Sequence, residues 1–275
     1  MKLGIVADEI DRDFSRALRI GTRLGLRRYE IRNLKSGRAP MCDRNELLEI
    51  EHMVRQEGAE ITGLSPGLFK NVSNSAAFAR EMQEVYPRAL EWATRWGLPG
   101  MIVFGFRKPG AVEENGDLIS SENPPPEVVD CLRQAAERSL SDGIQLFIEP
   151  EPVCWADTWP ATLALIHQVG VTSLKINYDP GNVAWKERRD SMESFASLAP
   201  FVANVHIKDL KPSAIGSGRP QFVPAGEGLV NYEAHCAALQ KIGYHGPVSL
   251  EPHMTGGEEA IRRCKDAFLR FWPES

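Results

Sequence analysis

The chain has 275 residues, of which 43% are hydrophobic and 25% are charged, a composition that supports a folded core and is not typical of a disordered protein. Its formal net charge of -5 argues against a general affinity for nucleic acids or anionic lipids. Five scattered cysteines without a Cys-x-x-Cys pair indicate free thiols of a reducing compartment. No apolar run approaches the ~20 residues that span a bilayer, and the early acidic residues do not fit a signal peptide. We therefore expect a soluble cytoplasmic protein.

Hydrophobic patterning predicts eight short strands, each followed by a helix. In chain order, the predicted strands are Leu3–Ala7, Arg27–Ile31, Ala59–Leu64, Met101–Phe104, Ile144–Ile148, Ser173–Asn177, Val202–Val205 and Val248–Leu250. The predicted helices begin near Phe14, Leu47, Ala76, Glu127, Thr158, Met192, Tyr232 and Glu258, and the third runs unbroken to Trp96. This alternation predicts a (β/α)₈ TIM barrel, an α/β fold that forms a single domain over residues 1–275, because parallel strands need helical crossovers and closure removes exposed edges.

The competing interpretation is a doubly wound open sheet, which would place a glycine-rich phosphate turn after the first strand. The chain instead has Ala7-Asp8-Glu9-Ile10-Asp11 at that point. Two long loops, at 105–126 and 207–229, exceed what a structural connection needs, and we expect the first to form a lid or a wall of the active site. Gly226-Glu227-Gly228 in the second loop does not open a helix, so we expect it to shape the loop rather than to bind phosphate.

Four consecutive predicted strands end in a side chain that can bind a metal. These side chains are Glu149, Asp179, His206 and Glu251. Each one alone is also compatible with a helix N-cap or a structural histidine, but the carboxyl ends of barrel strands converge on one face, which favours a shared site. Three carboxylates and one imidazole suit Mn²⁺, Mg²⁺ or Co²⁺ better than a thiolate-preferring metal, and they are also compatible with Zn²⁺.

Other polar and aromatic residues near the strand ends are candidates for substrate contacts. Lys208 follows His206 by two positions, so strand alternation directs both side chains into the barrel mouth. Glu151 follows Glu149 in the same way. The remaining candidates are Arg32 and Arg107, which would hold hydroxyls or an acidic group, and Trp155, Phe69 and Phe106, which would form an apolar wall. The alternative for the basic residues is a solvated loop charge, and for the aromatic residues it is ordinary packing.

These residue types support proton abstraction next to a carbonyl. A metal held by four protein ligands keeps two positions open for a carbonyl and an adjacent hydroxyl, and it stabilises an enediolate. A carboxylate on each side of the bound carbon can remove a proton and return it to another face or to the neighbouring carbon.

Several motifs resemble the xylose isomerase-like TIM-barrel superfamily of sugar isomerases and epimerases. They are Ile-Glu-Pro-Glu-Pro at 148–152, Tyr-Asp-Pro-Gly-Asn at 178–182, Val-His-Ile-Lys-Asp at 205–209, Gly-Glu-Gly-Leu-Val-Asn-Tyr at 226–232 and Gly-Tyr-His-Gly-Pro-Val-Ser-Leu-Glu-Pro at 243–252. Resemblance to the ketose 3-epimerase branch implies one divalent metal, commonly Mn²⁺, Mg²⁺ or Co²⁺, on Glu149, Asp179, His206 and Glu251. It also implies that Glu149 and Glu251 act as the catalytic acid/base pair.

The sequence departs from that pattern at Asn182, a further candidate for a substrate contact, which stands where those epimerases place a substrate-binding histidine. Abasic-site endonucleases of the same superfamily need further histidines for a three-zinc cluster, whereas the corresponding strand ends here read Ser65-Pro66-Gly67 and Phe104-Gly105-Phe106. We therefore expect a metal-dependent isomerase or epimerase acting on a small carbohydrate or hydroxy-ketone, with no nucleic-acid or membrane partner and with homo-oligomerisation left open. A dehydratase (lyase) of a polyol or sugar acid and a non-catalytic sugar-binding barrel are the alternatives.

Overall fold

Eight parallel strands form a nearly closed barrel in a computed structural model, which describes residues 2–72, 74–111, 123–212 and 220–272. Strands β1 to β8 cover Lys2–Val6, Arg28–Ile31, Glu60–Leu64, Gly100–Phe104, Gln145–Glu149, Leu174–Tyr178, Val202–Ile207 and Pro247–Leu250. Their hydrogen-bonded order is β3-β2-β1-β8-β7-β6-β5-β4, and β3 and β4, the two ends of this order, pack against each other. The predicted (β/α)₈ fold is confirmed, and β5 to β8 are consecutive neighbours, as a shared site requires.

Helices surround the barrel. Helices α1 to α10 cover Phe14–Arg23, Arg44–Gln56, Ser75–Glu84, Tyr86–Arg95, Pro126–Ser141, Trp159–Val169, Pro180–Glu187, Phe195–Leu198, Tyr232–Lys241 and Gly257–Leu269. The strands are buried along most of their length because helices cover the outside and side chains fill the inside, the usual state of parallel strands. Within the described ranges, no helix combines the length and apolar character needed to cross a bilayer.

Two short antiparallel hairpins extend the carboxyl end of the barrel. One pairs Asn33–Leu34 with Gly37–Arg38 after β2, and the other pairs Asp209–Lys211 with Gln221–Val223 after β7. Residues 112–122, which form half of the predicted lid at 105–126, lie outside the described residues, as do Gly216 and Gly218 of the second long loop. In the described part of that second loop, the buried Asp209 carboxylate accepts hydrogen bonds from the backbone N–H groups of Gly226 and Gly228, both at 2.9 Å.

The predicted unbroken helix from Ala76 to Trp96 is wrong. The chain forms two helices there, α3 and α4, which meet at Val85. Pro87 in the first turn of α4 has no N–H to donate, and its ring clashes with the preceding turn of a continuous helix. Proline is tolerated in the first turn of a new helix, so the chain restarts at Tyr86.

The segment after β6 also differs from the prediction. We expected the crossover helix around Met192–Leu198, but the longer helix α7 starts directly after Asp179 and ends at Glu187. Only a 3₁₀ turn and the four-residue α8 occupy 192–198. The Asp179-Pro180 pair carries the signal that was missed, because an N-cap aspartate followed by proline at the first helical position favours a helix start.

Candidate metal centre and substrate cavity

A cavity of about 600 Å³ opens at the carboxyl ends of the strands, within the size range of small-molecule sites. Its polar lining comes from two sides of the barrel. The ends of β5, β7 and β8 contribute Glu149, His206, Lys208 and Glu251, whereas segments near the ends of β1 to β3 contribute Arg12, Arg32, Asn33, Arg38, Ser65 and Lys70. Phe104, Trp185 and Phe222 supply the aromatic part of the wall.

The four predicted metal ligands meet at one side of this cavity. All four side chains are buried, and one potential ligand atom from each lies within 4.8 Å of the others. The Nδ1 atom of His206 lies 3.1 Å from Oε2 of Glu251, 3.8 Å from Oε1 of Glu149 and 4.0 Å from Oδ2 of Asp179. Opposite oxygen ligands of one Mg²⁺ ion are separated by about 4.2 Å, twice a bond of ~2.1 Å, so the observed spacing suits a single divalent cation.

Local sequence explains why these side chains point to one place. Glu149 is the last residue of β5, where Pro150 ends the ladder. Asp179 follows β6 and caps α7, because its Oδ1 atom accepts the backbone N–H of Asn182 at 2.9 Å, while its Oδ2 atom faces the centre. His206 lies in β7 opposite Ser249 of β8, two residues before Glu251. Consecutive parallel strands therefore present all four groups at the same level.

Glu30 fixes the orientation of His206. Its Oε2 atom lies 2.9 Å from Nε2 of His206, and both side chains are almost fully buried. An imidazole that donates its Nε2 proton to Glu30 keeps the Nδ1 lone pair for the centre, an arrangement common in metal sites. Sequence reasoning missed Glu30, although a carboxylate between Tyr29 and Ile31 in a buried strand was an available signal.

Two asparagines support the glutamate on β5. Asn177 donates from Nδ2 to Oε2 of Glu149 at 3.2 Å, and its own Oδ1 accepts from Asn204 at 2.9 Å. Asn182 donates from Nδ2 to Oε1 of Glu149 at 3.1 Å and to the carbonyl of Pro150 at 2.9 Å. Asn182 therefore positions Glu149, while also lining the cavity where a substrate contact was predicted.

Lys208 lies within the ligand cluster. Its ammonium group contacts Oδ2 of Asp179 at 2.9 Å, Oε2 of Glu251 at 2.7 Å and Oδ1 of Asn182 at 3.0 Å. Burial opposes protonation of this amine, but the charges of Asp179 and Glu251 outweigh it and raise the pKa of Lys208. The predicted position of Lys208 in the barrel mouth is thus observed, and its charge offsets part of the negative charge of the carboxylates.

The two glutamates expected to act as acid and base have opposite pKa shifts. Burial, followed by the negative charge of Glu251, raises the pKa of Glu149 to about 7, although the nearby His206 opposes the shift. Burial would also raise the pKa of Glu251, but the charges of Lys208, His253 and Arg32 outweigh it and hold that pKa well below the usual range. In the absence of a metal, Glu149 therefore keeps its proton to a higher pH than Glu251 does.

Arg32 lies at the cavity but is engaged by carboxylates of the protein. It forms ion pairs with Asp8 at 3.1 Å, with Glu9 at 2.8 Å and with Oε1 of Glu251. Glu9, Glu251 and His253 also lie close enough to hold a metal, but this second group shares Glu251 with the first, has one ligand fewer and includes the exposed His253. We therefore assign a metal only to the first group.

The other predicted contacts are divided between the cavity and the protein interior. Glu151 lines the cavity and pairs with Lys70 at 2.9 Å. Arg107 donates to the carbonyl of Ala111, and Trp155 lies 5.8 Å from the ammonium of Lys108. Neither Arg107 nor Trp155 is among the described residues that line the cavity, so their substrate contacts stay predictions that this geometry does not support.

The predicted aromatic wall is different in the structure. Phe69 and Phe106 are fully buried and pack with Phe78 at ring distances of 5.5 and 5.9 Å, so they belong to the core. The cavity instead uses Trp185 of α7 and Phe222 of the hairpin after β7, whose rings lie 6.2 Å apart. Sequence reasoning also missed Arg38, Lys70 and His253, which line the cavity from segments whose positions depend on barrel closure.

Comparison with known proteins agrees with this fold. A family model described as xylose isomerase-like TIM barrel matches residues 19–269. The 3-dehydroshikimate dehydratase of Bacillus anthracis is 26% identical over 162 residues, which cover 51% of this chain and 58% of that enzyme. The L-ribulose-5-phosphate 3-epimerase UlaE of Salmonella paratyphi C is 28% identical over 122 residues, 44% of this chain and 41% of the epimerase. The chain thus spans about half the length of these curated relatives.

Solved structures with the same fold cover the whole chain or nearly all of it. The probable 3-DHS dehydratase AsbF of B. anthracis has a TM-score of 0.76 at 20% identity, with all of both chains covered. A xylose isomerase-like TIM-barrel protein of Mycobacterium smegmatis in complex with magnesium has a TM-score of 0.71 at 19% identity, covering 98% of this chain and 93% of that one. The IOLI protein with a bound zinc atom has a TM-score of 0.73 at 18% identity, with both chains fully covered.

Proposed function

Since the chain belongs to the xylose isomerase-like TIM-barrel family, we propose that it is a divalent-metal-dependent isomerase or epimerase of a small sugar or hydroxy-ketone. The observation that carries this proposal is the convergence of two buried glutamates on one imidazole nitrogen, with Glu149 and Glu251 at 3.8 and 3.1 Å from Nδ1 of His206. An acid and a base on either side of one carbon are what proton transfer next to a carbonyl requires.

The donor set fits a hard divalent cation. Glu149, Asp179, His206 and Glu251 would hold it, and Mn²⁺ is our first choice, with Mg²⁺, Co²⁺ and Zn²⁺ as the other candidates. The cation would supply Lewis acidity, polarising the substrate carbonyl and offsetting the negative charge that develops as the proton leaves.

The chain's own residues would divide the remaining work. Glu251, kept ionised by Lys208 and Arg32, would accept the proton from the substrate carbon. Glu149, whose amide partners Asn177 and Asn182 fix both oxygens, would return a proton to the other face of that carbon or to the neighbouring carbon. Trp185 and Phe222 would exclude water from one side of the substrate.

A dehydratase is the second candidate, and two cavity groups favour it. Lys70 and His253 line the cavity and are not among the four proposed ligands. Dehydration removes a C–H proton, breaks the C–O bond of the β-hydroxyl and releases that oxygen as water, so it needs a general acid beside the leaving group. Either side chain can supply that proton. One curated relative is a dehydratase and another is an epimerase, so both reactions occur among similar proteins.

Incubation of ketoses and sugar acids with the Mn²⁺-loaded protein in D₂O, followed by NMR, tests the shared chemistry. We expect exchange of a substrate C–H proton, with mass conserved for isomerisation or epimerisation and with a new enone absorbance for dehydration. Glu149→Gln should lose this exchange. The matched control is Glu84→Gln on the exposed surface of α3, which should keep it. Absence of exchange across the panel, with metal bound, would favour the non-catalytic sugar-binding barrel.

A further inference from the structure

Arg38 is a half-buried cation on the cavity wall without a carboxylate partner. Its Nε atom donates to the carbonyl of Ser65 at 3.1 Å and its Nη2 atom to the hydroxyl of the same residue at 3.0 Å. Arginine has five N–H donors, so three remain without a partner among the described residues. Burial, together with the neighbouring charge of Arg32, lowers the pKa of Arg38, and the more distant Glu149, Asp8 and Glu251 offset this only in part.

The other deep cations of the cavity are already neutralised. Arg32 binds three carboxylates, Lys208 binds two, and Lys70 binds Glu151. Arg12 also lines the cavity, but it is exposed at the rim, where water solvates its charge. Arg38 is therefore the cation inside the described part of the cavity that forms no ion pair, although Glu149, Asp8 and Glu251 act on its charge from a distance. A desolvated charge of this kind is costly unless a ligand pairs with it.

The backbone around Arg38 is shaped to hold the guanidinium in place. Gly67 adopts a φ of +81°, and a Cβ atom there would lie 2.7 Å from Nε and 2.9 Å from Cζ of Arg38. The chain thus uses a glycine in the left-handed region to let the loop after β3 pack against the guanidinium plane. Together with the two bonds to Ser65, this packing orients the free N–H groups as a fixed fork.

We propose that Arg38 binds a carboxylate of the substrate, so that the enzyme acts on a sugar acid or another hydroxylated keto acid rather than on a neutral sugar. The proposal rests on the proposed function for the position of the reacting carbon. A fixed guanidinium matches a carboxylate through two parallel hydrogen bonds. A single guanidinium without an ion pair matches a monoanion better than a phosphate dianion. A dianion would require a second positively charged side chain beside Arg38. Arg38 and three of the proposed metal ligands, Glu149, His206 and Glu251, line the same cavity, so one small molecule can reach both the guanidinium and the metal centre.

Three probes of equal carbon length test this assignment by isothermal titration calorimetry: gluconate, glucitol and glucitol 6-phosphate. Each is titrated into the wild-type protein with and without Mn²⁺. We expect gluconate to bind ~10-fold or more tightly than glucitol, the scale of a charge-assisted hydrogen-bond pair. This preference should persist without Mn²⁺, since Arg38 rather than chelation produces it. Equal binding of the two probes, no gluconate binding at the highest soluble concentration, or tighter binding of glucitol 6-phosphate would overturn the proposal.

Variants assign the preference to the residue. Arg38→Gln should abolish the preference for gluconate, and Arg38→Lys, which keeps the charge but loses the fork, should retain part of it. The control is Arg80→Gln on the exposed surface of α3, which removes the same net charge and should change nothing. Retention of the full preference by a folded Arg38→Gln protein would refute the assignment. If the wild-type protein prefers gluconate but exchanges no substrate C–H proton in D₂O, the proposed function is contradicted. The carboxylate site at Arg38 would then still be supported.

Discussion

Replacing Glu30 by glutamine tests whether this residue tunes the metal centre. The change keeps the size of the side chain but removes the charge that accepts the Nε2 proton of His206 at 2.9 Å. The Oε1 atom of Glu30 is buried without a hydrogen-bond partner, so the new amide nitrogen would gain nothing at that position. The His206 imidazole would lose its charged partner and become a weaker electron donor through Nδ1.

The expected loss of metal affinity is 10- to 100-fold, the range for groups that accept a hydrogen bond from a metal-bound histidine, equivalent to about 1.4–2.7 kcal/mol. We expect the upper part of this range because the side chains of Glu30 and His206 are no more than 2% exposed, so water cannot replace the lost charge. Competition of Mn²⁺ and Zn²⁺ against a fluorescent chelator measures the dissociation constants.

Glu60→Gln is the matched control, since Glu60 is an exposed glutamate at the start of β3, far along the strand from the cavity end. Circular dichroism before titration confirms that both variants are folded. Affinities within twofold of the wild-type value for Glu30→Gln would refute the idea that Glu30 orients a metal-binding histidine.

The remaining predictions concern the ligands and the substrate class. Glu149→Gln and Glu251→Gln should each lower proton exchange by ~10² or more, while metal content measured by elemental analysis falls only modestly, since glutamine keeps a coordinating oxygen; near-normal exchange in both would disprove the two-carboxylate mechanism. His206→Ala and Asp179→Ala should instead lose metal first and regain some activity at high Mn²⁺, whereas full metal occupancy in either would remove it from the ligand set. The protein should not incise an abasic duplex, because its net charge of -5 disfavours a polyanion; robust metal-dependent cleavage in a gel assay would contradict this.

The four central residues were predictable from the sequence because each follows an apolar run. A carboxylate or imidazole at the end of a buried strand lies at the carboxyl face of a barrel whatever the lengths of the intervening helices. Glu149 and Glu251 also precede prolines, which mark the ends of their strands. The fold and the centre of the site follow from such local patterns.

The surroundings of the centre were not predictable in the same way. Glu30 and His206 are separated by 176 positions, and Arg32 and Glu251 by 219. Such pairs form only when β1 and β8 pair and bring β2 close to β7 and β8. No local sequence pattern predicts them. The prediction that Phe69 forms part of the cavity wall was wrong for a related reason. An aromatic residue just beyond a strand can point into the barrel mouth or back into the core, and only its packing in the folded protein determines which.

The ion pairs from β2 make the two halves of the barrel dependent on each other. Strands β5 to β8 provide all four proposed ligands, but Glu30 and Arg32 on the other half hold His206 and Glu251 in position. An exchange of the first half-barrel between this chain and a relative would therefore also replace the residues that hold His206 and Glu251 in position. A chimera that imports a foreign first half should bind metal with full affinity only when that half carries a glutamate and an arginine at these two positions.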